Sequence, residues 1–173
     1  MGTGSWACVL GVVLCGGLLS AEPGPGCQQS SLPANIELSH DLGRVLQRLH
    51  DRSATFRTQC ERIGRAPHLR VTIRLNTSMP SRCRAFTSVR GQGRQITADV
   101  NVPPSRSLVE LVAHEFEHLL EQVEGLDLRA LARIRGSGVR EMERELFETD
   151  RAIRAGRLVA EEADQPRRVP NAD

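Results

Sequence analysis

An α+β domain is the fold class this sequence predicts: a long N-terminal helix, a small three-stranded antiparallel sheet, a further helix and a C-terminal helix. Three observations predict it. From Leu38 to Ile63 apolar residues recur at steps of three, four and seven, the period of an amphipathic helix. Apolar and polar residues then alternate in His68 to Leu75 and again in Ile96 to Val102, as half-buried strands require. Helical periodicity returns after Pro103-Pro104.

The chain opens with an apolar run from Trp6 to Leu19, shorter than the ~20 residues needed to span a bilayer. Its length suits the core of a secretory signal, and Ser20 and Ala21 supply small residues for cleavage. Residues 1–21 are therefore predicted to be a signal peptide, which makes the protein secreted or periplasmic with no membrane span after cleavage. A lipid-modified Cys27 is a rival reading, although Gly24 stands where a Leu would be expected. Residues 22–35, rich in Gly, Pro and Ser, read as a flexible leader, and 36–160 as one domain. The charged stretch 161–173 carries two prolines and reads as a disordered tail. In an oxidising compartment Cys60 and Cys83 are the expected disulfide pair, with Cys27 left over.

Within the domain, Leu38, Leu42, Val45, Leu46, Leu49, Phe56 and Ile63 mark one helix, which Gly64 and Pro67 end. Val71, Ile73 and Leu75 oppose Arg70, Thr72 and Arg74 in the first strand. Asn76 to Ser81 is a loop, Cys83 to Val89 a second strand, and Ile96 to Val102 the third. Gly91 and Gly93 supply the hairpin between those two. Ser107 and Glu110 have capping-box spacing ahead of a helix from Leu108 to about Glu124, with Gly125 as its stop. Leu128 to Ile134 is a short helical segment, and Val139 to Ala160 the last helix.

Composition excludes some functions. Net charge is only +2, and all 23 basic side chains are Arg, so no charge excess draws the chain to nucleic acid. With no Tyr and one Trp, inside the first ten residues, there is little to stack on nucleobases.

The chemistry lies in His114-Glu115-Phe116-Glu117-His118. Each helical residue turns about 100°, so His114 and His118 project one turn apart in nearly the same direction and can reach one metal ion. Glu115 lies ~100° round from His114, close enough to touch a metal-bound water without being a ligand. A zinc ion would lower the pKa of that water to about 7, and the carboxylate would take its proton. Val112, Phe116, Leu119 and Val123 form the opposite, packing stripe. Glu121 shares the histidine face and is a candidate to orient one ring.

This helix resembles the HExxH active-site helix of the zincin metallopeptidases, in an arrangement closest to the gluzincins. The chain also resembles small secreted bacterial proteins. The resemblance implies His114 and His118 as zinc ligands and Glu115 as general base. The gluzincin pattern takes its third ligand, a glutamate, from a later helix, and Glu148 is the choice here, ahead of Glu145. Asp127 is a further alternative. Glu124 stands where a metzincin ligand would fall, but its flanking signature is absent, and Ala152 replaces the Asp that gluzincins carry four residues after the ligand. With no Tyr available, His68 or a nearby Arg would have to stabilise an oxyanion.

The expected function is thus that of a secreted zinc peptidase acting on a peptide or protein substrate. The alternative is a non-catalytic exported module that binds metal or a partner. A third possibility leaves both histidines as ordinary surface residues.

Overall fold

A computed structural model of the protein describes residues 32–79, 85–92, 95–143 and 145–166. The expected signal peptide, most of the leader, Cys27 and Cys83 lie outside the described residues. The fold mixes helices and sheet, as the sequence pattern implies, but with two small sheets where one was expected. Among the described residues no helix is long and apolar enough to cross a membrane.

The first sheet has four strands: β1 (Ile36–Leu38), β2 (Leu69–Leu75), β3 (Phe86–Gln92) and β4 (Gln95–Val102). Their order is β1-β2-β4-β3. This corrects the three-stranded antiparallel expectation. β2 lies parallel to both β1 and β4, and only β3 and β4 are antiparallel. Alternation had assigned the faces correctly, with Leu69, Val71 and Ile73 buried and Arg70 and Arg74 exposed. It carries no information on which strand neighbours which. β3 takes the outer edge and returns as β4 beside β2, so Val71 faces Ala98 and Ile73 faces Val100. β1 is held by Asn35, whose side-chain amide donates to the carbonyls of Ile63, Ala66 and Leu69.

Two helices replace the expected long one: α1 (Gly43–Arg52) and α2 (Ala54–Gly64). They break at Ser53, which is extended, and its hydroxyl accepts from the Phe56 amide as the N-cap of α2. An apolar step of seven, Leu49 to Phe56, is compatible with one helix. A buried serine able to cap tips the balance to two.

α3 (Leu108–Val123) packs on the sheet's inner face and is flanked by α2. Ser107 makes no side-chain cap bond, so the expected capping box is not formed. After α3, which ends before Gly125 at φ +74, comes α4 (Leu128–Ala132). The C-terminal third departs most from expectation. Residues Val139–Glu143 and Leu146–Thr149 form a hairpin, β5 and β6, and only Asp150–Asp164 is helical, α5. The Glu, Met, Arg and Leu residues of this stretch favour helix by local propensity. Left-handed backbone at Gly138 and the Thr149 cap on α5 override it, while Glu145 takes φ +67 in the turn, a conformation its side chain disfavours. α5 also continues to Asp164, into the expected tail. Glu162 explains this: it accepts hydrogen bonds from the Ser53 hydroxyl and from the Thr55 amide and hydroxyl, which anchors the last turn to the start of α2.

Phe56, Cys60, Ile63, Val71, Val100 and Phe116 lie at the centre of the core. Cys60 is a free thiol there, pushed up to about 12 by burial and then by neighbouring Glu61, which keeps it protonated.

Candidate metal centre

The rotation of α3 is set by its apolar stripe. Val112, Phe116 and Leu119 are fully buried, and Phe116 stacks on Phe56 with ring centroids 5.4 Å apart. With that stripe in the core, His114 and His118 emerge toward α5 and the β5–β6 hairpin. Gly156 of α5 makes the approach possible. A Cβ there would lie 2.8 Å from the Glu110 carbonyl oxygen and 3.2 Å from the His114 Cβ.

Three donor atoms converge. His114 Nε2 and His118 Nε2 are 3.1 Å apart, and Glu148 Oε1 lies 3.4 Å from the first and 3.5 Å from the second. Ligands about 2.0–2.1 Å from a tetrahedral ion stand roughly 3.3 Å from one another. The triangle of these atoms therefore has the edges of one face of such a coordination shell. The donor set, two imidazoles and a carboxylate, suits zinc chemically. Each side chain is partly open to solvent, so an ion has a route in.

Supporting contacts orient the donors. Glu121, 1% exposed, places Oε2 at 3.0 Å from His118 Nδ1, which leaves Nε2 to face the shared centre. The other oxygen of Glu121 accepts from the Thr149 hydroxyl at 2.7 Å. Burial works against charge on His118, but its hydrogen bonds to Glu121 and Glu148 and the charge of Glu115 more than reverse this, and its pKa is pushed up to about 9. For Glu148, burial raises the pKa. The His118 hydrogen bond, His114 and the Thr149 amide outweigh that and hold the carboxyl below its usual range.

Glu115 turns toward the sheet instead. The Thr87 hydroxyl on β3 donates to its Oε2 at 2.7 Å. Its pKa is raised, foremost by burial and also by Glu148, against the opposing pull of Thr87 and His118. A carboxylate so placed is a better proton acceptor than a solvated one.

No protein-family model, curated protein or solved structure matches this chain. The site therefore stands on its own geometry.

The structure brings together His114, His118 and Glu148, with Glu115 adjoining. Glu148, however, sits on β6 and not on a helix. Glu145 is exposed in the hairpin turn and pairs with Arg129. Asp127 caps α4 by accepting from the Ala130 amide. Glu124 is bound by Arg62 and Arg151. His68 is exposed just before β2. It lies about 16 Å along the strand from the level of Ile73, which shares a row with Val100 and Thr87, so it is far from any oxyanion position.

Thr87 and Thr149 went unseen in the sequence. Thr149 followed by Asp150 has the form of a helix start, a signal that could have located both the cap and the end of the strand. Nothing local marks Thr87, because its partner lies 28 residues away. A cavity of about 270 Å³ opens behind the centre, lined by Glu121, Leu126, Leu131, Thr149 and Arg154 among others, but by none of the three donors.

Proposed function

We propose that this protein is an exported zinc-dependent peptidase of zincin-like design, with His114, His118 and Glu148 holding the ion and Glu115 as general base. The single observation that carries the reading is the 3.1–3.5 Å triangle of donor atoms beside a buried carboxylate that is not part of it. Three protein donors leave a tetrahedral ion one position for water or substrate, as a catalytic site needs. Zinc, when bound, would polarise the substrate carbonyl and make a water nucleophilic near neutral pH. Glu115 takes a proton from the attacking water and delivers it to the leaving amine, while Thr87 holds the carboxylate in place. Among the described residues β3 is one of the two edge strands of its sheet, so its outer side offers backbone donors and acceptors to an extended peptide close to Glu115. Export rests on the apolar run Trp6 to Leu19.

Metal analysis of the purified protein tests this. Wild type is expected to carry about one zinc per chain, and Glu148→Ala to lose most of it. A Glu148→Ala chain that retained stoichiometric zinc would remove the third ligand from the proposal.

Zinc uptake is expected to be pH-dependent. His118 holds a proton up to about pH 9 in the metal-free chain, and zinc must displace it. Affinity should rise about tenfold per pH unit between pH 7 and 9, then flatten. The metal-free fold behaves oppositely. With a folded pKa above the ordinary 6.5, His118 contributes stability fully below that value and loses it as pH rises through about 9. Chelator competition across pH 6.5 to 9.5 measures the first effect, and a flat profile would contradict it.

A further inference from the structure

We propose that Thr149 is the positioning residue of the metal centre, orienting two of its three donors at once. The inference rests on the metal-binding reading above and adds to it a mechanism for assembling the site. Three bonds of this one residue carry it. Its backbone amide donates to Glu148 Oε1 at 2.9 Å, the same oxygen that faces both imidazoles. Its hydroxyl donates to Glu121 Oε1 at 2.7 Å, and Glu121 Oε2 in turn meets His118 Nδ1 at 3.0 Å. The same hydroxyl accepts from the Ala152 amide at 3.0 Å, as the N-cap of α5.

The hydroxyl has one hydrogen and two lone pairs. Its hydrogen is committed to a carboxylate and a lone pair to a helix end. Thr149 is 2% exposed and Glu121 is 1% exposed, so water does not readily replace either bond. Thr149 thus fixes Glu121, and through it the His118 ring, by its hydroxyl, and the Glu148 oxygen by its amide. The strand carrying the third donor and the helix carrying the other two are brought into register by a single residue. Side chains that cap helices as well, such as Asp, cannot donate to Glu121. Side chains of the same shape, such as Val, can do neither. Ser retains both bonds from the same single oxygen.

The test measures zinc affinity by chelator competition and the visible absorption of the cobalt-substituted protein. Wild type, Thr149→Val and Thr149→Ser are compared, with Thr149→Val also made in a Glu121→Met background, where no side-chain acceptor remains for the hydroxyl. Thr149→Val is expected to weaken zinc about 10- to 100-fold and to alter the cobalt spectrum. Thr149→Ser should stay within about threefold of wild type, and Thr149→Val should cost no more than about twofold once Glu121 is Met. Equal affinity and spectrum for wild type and Thr149→Val would overturn the proposal, as would an undiminished loss in the Glu121→Met background. Should Thr149→Val fail to fold, Glu121→Met alone decides: a 10- to 100-fold loss is expected, and an unchanged site overturns the role. Wild type that took up neither metal would instead end the underlying metal-centre reading, and this inference with it.

Discussion

Glu115→Gln is expected to leave zinc content unchanged and to lower peptide hydrolysis by about 100- to 10,000-fold. That range corresponds to roughly 3 to 5 kcal/mol of lost transition-state stabilisation. The substitution keeps the side chain's volume, and its amide oxygen can still accept from the Thr87 hydroxyl, so packing and position survive. What disappears is the ability to take a proton. The effect is confined to that step because Glu115 is outside the donor triangle. Hydrolysis of a mixed peptide library by the zinc-loaded proteins, read by mass spectrometry, measures the loss. A fully active Glu115→Gln chain would exclude the general-base role.

The second large effect concerns stability. Glu117 belongs to the same five-residue motif but faces elsewhere. It is 4% exposed and accepts from Gln59 Nε2 at 2.7 Å, Arg62 at 3.2 Å and Arg151 at 2.6 Å. Those partners lie on α2 and α5, so one carboxylate ties three helices together. Glu117→Ala leaves two guanidiniums facing a hole. Removing one member of a buried ion pair usually costs 3 to 5 kcal/mol. Both arginines are about one-third exposed and keep Glu124, so the lower end applies, about 3 kcal/mol. In a chain of this size that lowers Tm by roughly 6 to 12 °C. Melting of the metal-free protein, followed by circular dichroism, checks it. A shift below about 2 °C would mean the network contributes little. Glu124→Ala offers the contrast: it removes the more exposed member of the network and should cost less than about 1 kcal/mol.

The helix of the site was legible in the sequence because helical geometry is local. His114, His118 and Glu115 needed only the 3.6-residue period and an apolar back face to be placed. Phe116 and Leu119 then fixed which side faced outward. Glu148 was picked out by its likeness to a glutamate on a later helix, and the structure puts the same residue beside the histidines on a strand. Its position is therefore not explained by the helix on which the resemblance placed it. A hairpin formed from residues of good helix propensity because Thr149 supplies a cap for α5 and Gly138 a left-handed turn ahead of β5.

Residue spacing alone determined the helix-and-sheet composition, the buried faces of β2 and β4, and the two imidazoles on one face of α3. Tertiary structure decided the parallel order of the main sheet, the break at Ser53, the hairpin before α5, and the meeting of Glu148, Glu121, Thr149 and Thr87 with the motif. Periodicity reports which side of an element is buried. Partners 25 residues or more apart are chosen by how the elements pack, since the small free-energy differences among such packings are summed over the whole core.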